Sequence, residues 1–86
     1  MDSYQIEWRK STSKDFRKIP KNLTQRIVDA VNLLADNPHP VGSTKLAGSD
    51  CAYRIRVGDY RVIYEVYEEK VVIEVVKVGH RKDIYR

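Results

Sequence analysis

The sequence predicts an α+β domain in which two N-terminal helices pack on one face of a four-stranded, mostly antiparallel sheet. The last third of the chain alternates apolar and polar residues in three runs separated by short turns, which is typical of half-buried strands. A single apolar stripe at helical spacing precedes these runs, and a shorter alternating segment lies near the N-terminus. Two helices over one sheet face bury both apolar surfaces, in the order β-α-α-β-β-β.

The N-terminal segment predicts one strand and one short helix. Tyr4, Ile6 and Trp8 alternate with polar residues, so they form one face of a strand. The serines and threonine at 11–13 are residue types that cap helices. We therefore expect a short basic helix over residues 14–18, with Phe16 and Ile19 facing inward.

The second helix is the clearest element of the sequence. Pro20 fits its first turn, and Asn37-Pro38 ends it. Between them, apolar residues follow helical spacing along one stripe, namely Leu23, Ile27, Ala30, Val31 and Leu34. Residues 37–51 then show no regular period and include two prolines and two glycines. We expect a long loop there, and such a loop in a small domain is usually functional or ordered by a partner.

Two tight hairpins connect the predicted strands at residues 52–57, 60–67 and 70–78. Gly58-Asp59 between alternating runs is a strong hairpin signal, and it pairs Val57 with Tyr60. Glu68-Glu69 is a less typical turn, and a two-residue connection there pairs Tyr67 with Lys70. These registers give the three strands one apolar face, which we expect to meet the helices: Tyr53, Ile55, Val57, Tyr60, Val62, Tyr64, Val71, Ile73 and Val75.

The opposite face of the sheet brings cations together. The hairpin register places Arg56 opposite Arg61, and Arg54 shares their face because side chains alternate along a strand. Like charges directly across a strand pair are destabilising, so an anionic ligand would relieve this repulsion. The alternative is a solvated face on which Glu65 and Glu74 neutralise the arginines.

Composition limits what the chain can be. Its 86 residues fit one domain, over residues 1–86, and 16 Lys and Arg against 12 Asp and Glu give a net charge of +4, which favours an anionic partner. Cys51 is the single cysteine, and no apolar run resembles a signal peptide or a membrane span, so we expect a cytoplasmic protein. His39, Cys51 and His80 are too few and too irregularly spaced for a zinc motif, and we expect no cofactor.

The chain resembles the RelE branch of the RelE/ParE toxin superfamily. The resemblance rests on YRIRVGDYRVIYEV, on VGHRKDIYR near the end, on KLAG before the first hairpin and on KDFRKIP before the long helix. It implies a RelE-like fold and a toxin of a type II toxin–antitoxin pair. RelE-type members cleave mRNA in the ribosomal A site without a metal, by attack of the ribose 2′-OH on the adjacent phosphate. The implied partners are a cognate antitoxin, the ribosome and mRNA, with no membrane.

The resemblance also implies roles for individual residues. It assigns the catalytic set to five positions of this chain: Arg54, Arg56, Arg61, Arg81 and Tyr85. Some RelE members have lysines at the positions of Arg54 and Arg56, and arginine cannot lose its proton to serve as a base. Tyr85 and His80 are therefore both candidates for the general base, with ribosomal RNA as a third source of proton transfer. Lys45 and His80 are candidate RNA-binding residues.

Two functions remain open at this point. The first is a ribosome-dependent mRNA endoribonuclease, and the second is a ParE-like toxin that inhibits DNA gyrase without catalysis. The shared fold does not separate them, because function resides in the site. Convergent cations favour the nuclease, since a protein–protein inhibitor does not need them.

Overall fold

The computed structural model describes residues 3–82, which form two helices and five strands. In chain order they are β1 Gln5–Trp8, α1 Thr12–Arg17, α2 Lys21–Leu34, β2 Thr44–Lys45, β3 Ala52–Val57, β4 Tyr60–Tyr67 and β5 Val72–His80. The sheet order is β1-β5-β4-β3-β2. β1 runs parallel to β5, and every other neighbouring pair is antiparallel.

The predicted α+β fold with both helices on one face of a mostly antiparallel sheet is confirmed, and it has one strand more than predicted. The additional strand, β2, lies inside the segment predicted as a loop and pairs Thr44 with Arg54 and Lys45 with Tyr53. A two-residue strand is too short to show an alternating pattern in the sequence. It extends the sheet by one short edge, and short edge strands offer little template for further pairing.

The first hairpin has the predicted register. Val57 pairs with Tyr60, and Arg56 pairs with Arg61. Gly58 has a φ of +60°, whereas Asp59 is not among the residues with positive φ. A positive φ at the first central residue is characteristic of a type II′ turn, whose twist matches that of the flanking strands.

The second hairpin differs from the prediction. Tyr67 pairs with Val72 rather than with Lys70, so residues 68–71 form a four-residue turn. Val71 closes this turn with a φ of +55°, a strained conformation for a β-branched residue. The shift is by two positions, so Ile73 and Val75 keep the predicted face and are fully buried.

A β-bulge changes the second half of β5. Tyr64 pairs with Val75 but Ile63 pairs with Lys77, so Val76 is an extra residue on β5. Beyond Val76 the two faces of β5 exchange. Val78 is therefore buried, opposite Val62, whereas unbroken alternation from Val75 would place it on the sheet face opposite the helices. The strand also continues to His80 instead of ending at Val78.

The helices cover the apolar face as predicted. α1 begins two residues before the prediction, at Thr12, whose hydroxyl donates to the Arg9 carbonyl at 2.6 Å. Phe16 packs against Trp8 with a ring-centroid distance of 5.4 Å. The helices and strands share one core of buried residues: Ile19, Ile27, Val31, Leu34, Ile55, Val57, Val62, Tyr64, Val66, Ile73, Val75 and Val78. Over residues 3–82 there is no helix both long enough and apolar enough to span a membrane.

Candidate functional site

Two adjacent rows of paired residues define the basic end of the open sheet face. One row places Arg56 of β3, Arg61 of β4 and Gly79 of β5 side by side. The next row places Arg54, Ile63 and Lys77 side by side. We call Arg54, Arg56, Arg61 and Lys77 the basic cluster. Its members come from three strands, so the sheet itself sets their spacing.

Within the basic cluster, Arg61 is distinguished by a side-chain nitrogen that is shielded from solvent. Its side chain is partly buried, and its Nη1 atom is shielded from solvent without a hydrogen-bond acceptor among residues 3–82. A buried donor without an acceptor is unfavourable, and an unpaired charged donor costs more. Since Gly79 beside it has no side chain, nothing on β5 in this row supplies an acceptor. An oxyanion at this position would satisfy the donor.

Arg56 is exposed and weakly held. Its Nε donates to the Gly58 carbonyl at 3.5 Å, at the limit of a hydrogen bond. Across residues 3–82, neither Arg56 nor Arg61 forms an ion pair with a carboxylate. The two arginines are thus paired across the hairpin with no carboxylate from the described part of the chain to neutralise them.

The carboxylates at the other end of the face are already paired. Arg9, which follows β1, contacts Glu74 at 3.1 Å and Glu65 at 3.5 Å. The Tyr67 hydroxyl donates to Glu65 Oε1 at 2.5 Å, and this hydrogen bond raises the pKa of Tyr67 to about 12. The carboxylates therefore bind Arg9 and Tyr67, so they do not neutralise Arg56 and Arg61 as the solvated-face alternative requires.

Arg81 lies at the same end of the sheet as the basic cluster. Its backbone N–H donates to the Asp59 carbonyl at 2.8 Å. This bond joins the residue after β5 to the turn between β3 and β4. Arg56 lies two residues before Gly58 and Arg61 two residues after Asp59, so the backbone of Arg81 is held near both. The role of Arg81 in the site stays a prediction.

The other sequence-predicted residues divide between the two faces. His80 pairs with Tyr60 and Lys45 pairs with Tyr53, so the register places both on the helix side of the sheet, away from Arg61. Thr44, rather than Lys45, lies beside Arg54. Tyr85 lies outside the described residues, and its role stays a prediction.

Sequence reasoning missed Lys77 and Arg9. Lys77 joins the basic cluster only because Val76 is bulged. A signal for this exists in VVIEVVKV, where the apolar alternation changes phase between Val75 and Val78. No local sequence pattern predicts the role of Arg9, since it pairs with Glu65 and Glu74, which lie far away in the sequence. Within residues 3–82, no three His, Cys, Asp or Glu residues gather into a group suited to a metal ion.

Known proteins share both the sequence and the fold. A family model described as "ParE toxin of type II toxin-antitoxin system, parDE" matches residues 6–85. A RelE-like toxin protein of Escherichia coli is 35% identical over 86 residues, covering 95% of this chain and 90% of that protein. The mRNA interferase toxin RelE of E. coli K12 is 27% identical over 82 residues, covering 93% and 85% respectively.

Solved structures extend this similarity to the whole architecture. A chain of the archaeal RelE–RelB complex from Pyrococcus horikoshii superposes with a TM-score of 0.82 and 31% identity, covering 94% of this chain and 98% of that chain. The isolated E. coli RelE toxin superposes with a TM-score of 0.79 and 26% identity, covering 96% and 92%.

Proposed function

Since the chain belongs to the RelE/ParE superfamily of toxins from type II toxin–antitoxin systems, we propose that it is a ribosome-dependent mRNA endoribonuclease. In the proposed reaction the ribose 2′-oxygen attacks the adjacent phosphorus while the bond from phosphorus to the 5′-oxygen breaks. The 2′-OH gives up a proton, and the leaving 5′-oxygen receives one. The products are a 2′,3′-cyclic phosphate and a 5′-hydroxyl, and the reaction uses no metal.

The single observation that carries this proposal is the shielded, unpaired Nη1 of Arg61. Negative charge accumulates on the phosphate oxygens as the 2′-oxygen attacks, and preorganised donors stabilise that charge most when they are already desolvated. Arg56 lies opposite Arg61 on β3 with Arg54 in the next row, and Arg81 follows β5 with its backbone bonded to the hairpin turn. In this scheme the four arginines orient the phosphate and stabilise its transition state.

The proton from the 2′-OH must go to another group, because an arginine does not deprotonate. Between the two candidates, His80 lies on the side of the sheet away from Arg61. We therefore assign the role of base to Tyr85, since arginines around the scissile phosphate would stabilise a phenolate there. Its ring can also stack on an unpaired base.

The proposed partners are mRNA, the ribosome and a cognate antitoxin, and the proposed place of action is the cytoplasm. The RelE–RelB complex from P. horikoshii and the RelBE complex from E. coli are both toxin–antitoxin complexes. An antitoxin that covers the basic cluster or residues 37–51 would block the site. Hydrogen exchange on the complex should show protection in either region, and protection limited to surfaces remote from both contradicts this proposal.

Primer extension on mRNA bound to purified ribosomes tests the function. The wild-type toxin should cut within A-site codons and should not cut the same mRNA without ribosomes. Arg61→Ala should slow cutting about 100-fold or more, since removing one donor to a developing oxyanion has that effect. Arg26→Ala, the same change on an exposed position of α2, is the matched control and should cut normally. Cutting by Arg61→Ala at the wild-type rate contradicts the assignment.

A second function has one observation in its favour, which is that the matching family model describes ParE toxins. A ParE-like protein would inhibit DNA gyrase without catalysis. A supercoiling assay with purified gyrase separates the two functions. Inhibition of supercoiling, together with no cutting of ribosome-bound mRNA, would replace the nuclease assignment with this one.

A further inference from the structure

A cleft of about 430 Å³ opens between α1 and the second half of β5. β1 pairs with β5 only as far as Val75, so beyond this point no strand within residues 3–82 lies beside β5 on that side. α1 covers part of the open edge, and the Asp15 carboxylate accepts the Val78 N–H at 3.0 Å. Asp15 and Val78 both line the cleft, which lies at the end of the sheet that carries the basic cluster, and the Asp15 carboxylate in its wall is held by this contact.

The walls of the cleft combine cations with aromatic rings. Lys18 and Lys77 supply two ammonium groups, and Tyr60 and His80 supply two rings. These rings meet edge to face, with their centroids 5.5 Å apart. His80 Nδ1 accepts the Lys82 N–H at 3.2 Å, so the proton of the neutral imidazole lies on Nε2. His80 is thereby held in one orientation.

Lys77 connects this cleft to the basic cluster. By register it shares the open face with Arg54 and Arg61, and it also lines the cleft at the edge of β5. The bulge at Val76 produces both placements, because without the extra residue Lys77 would face the core. The cationic surface therefore continues from the open face around the edge of the sheet.

We propose that the cleft binds the nucleotide next to the cleaved bond, with its phosphate on Lys77 and Lys18 and its base against His80 and Tyr60. This inference rests on the proposed function and deepens it. Cations along a phosphate backbone, together with rings that stack on bases, are how proteins hold single-stranded RNA. The strand crosses the open edge of β5, with the scissile phosphate at Arg61 and the neighbouring nucleotide in the cleft. Lys77 and His80 act as positioning residues, since neither touches the reacting atoms.

Single-turnover cleavage on ribosomes carrying a series of A-site codons tests the proposal. Lys77→Ala and His80→Ala should each raise the half-saturating toxin concentration about tenfold, as expected for a lost backbone or stacking contact. The rate at saturation should change by less than about twofold, because binding and not the chemical step is affected. For His80→Ala the loss should depend on the base that flanks the cut.

Matched controls come from the opposite end of the molecule. Lys70→Ala removes a lysine from the turn at the other end of β5. His39→Ala removes a histidine whose ring contacts Tyr53 at 4.6 Å, so it also loses a histidine–tyrosine contact. Both controls should cleave like the wild type. Equal behaviour of the cleft variants and the controls, with an active wild type, overturns the cleft and leaves the nuclease assignment intact. A loss for His80→Ala that is uniform over all codons also overturns it, since it indicates contact with ribosomal RNA instead of an mRNA base.

A binding measurement gives a readout that does not depend on cleavage. A short 2′-O-methyl RNA, which lacks the attacking hydroxyl, is titrated into the full chain while the imidazole resonances are followed by NMR. The His80 resonances should shift, those of His39 should not, and Lys77→Ala should weaken the shift. A shift in a wild type that does not cleave ribosome-bound mRNA supports the cleft and rejects the nuclease. Absence of any shift at His80 overturns the cleft.

Discussion

The two ends of the open sheet face carry similar numbers of charged side chains but differ in whether those side chains form ion pairs. At the end near Arg9, the carboxylates of Glu65 and Glu74 bind Arg9, and Tyr67 donates to Glu65. At the end near the first hairpin turn, neither Arg56 nor Arg61 has a carboxylate partner among residues 3–82. One end is complete within residues 3–82, whereas no carboxylate of those residues completes the other.

This difference separates a structural role of charge from a functional one. The paired end ties β1 to β4 and β5 through side chains that are partly exposed, and ion pairs near the surface contribute little to stability. The unpaired end keeps Arg61 Nη1 without an acceptor at a cost to folding. A cost of this kind is common at sites that bind a ligand. Substitutions at each end separately therefore test whether charge is structural at one end and functional at the other.

The largest expected effect is on the cleavage rate, when arginines at the unpaired end are removed. Arg61→Ala and Arg81→Ala should each slow cleavage about 100-fold or more. The double variant should lose far less than the product of the two losses, because groups that stabilise one transition state act as a unit. Single-turnover rates of all four proteins measure this coupling. Strictly multiplicative losses would mean that the two arginines dock the RNA independently, and the contrast between the ends would then concern binding alone.

The next effect concerns proton transfer at the same end. Tyr85→Phe should slow single-turnover cleavage about 100-fold, the scale of general acid–base catalysis, and should leave ribosome binding intact. His80→Ala should have little effect on the rate at saturation. Co-sedimentation with ribosomes and cleavage across a range of pH distinguish the two variants. If His80→Ala alone lowers the saturated rate, the base is histidine; if neither does, the ribosome or solvent transfers the proton.

The smallest expected effect lies at the paired end and concerns stability. The hydrogen bond to Glu65 raises the pKa of Tyr67 from 10.0 to about 12, and burial raises the pKa of Tyr64 to about 12. The folded protein therefore favours the protonated form of both phenols. Their contribution to stability is therefore fully present below pH 10.0, the ordinary tyrosine value, and is lost as the pH rises through about 12. The free energy of unfolding should decline over that window.

Tyr67→Phe tests how much of this decline in the free energy of unfolding comes from Tyr67, at the paired end. It should lower stability below pH 10.0 and flatten the loss above it, since the phenol that titrates is gone. Cleavage should be unchanged, because Tyr67 lies away from the basic cluster. Denaturant titrations at several pH values measure the slope. If the free energy of unfolding declines with pH equally in both proteins, the pKa of Tyr67 is not raised in solution.

How much the sequence predicts depends on how local each feature is. The pairing of Arg56 with Arg61 follows from Gly58-Asp59 and two alternating runs, so it could be predicted from adjacent residues alone. The apolar stripe of α2 is equally local. The bulge at Val76 lies where β5 packs against α1 and where Asp15 contacts Val78, contacts that join distant segments. The ion pairs of Arg9 likewise form only once β1 lies beside β5.

The parallel pairing of β1 with β5 has a consequence for how the protein is made. The chain is synthesised from its N-terminus, so β1 emerges first and its strand partner emerges last. Until β5 is translated, β1 has no edge to pair with and Tyr64 has no neighbour on that side. Contacts this distant in the sequence form late. The nascent chain therefore cannot assemble its basic rows while β5 is still inside the ribosome that produces it, so the toxin cannot act before β5 has emerged.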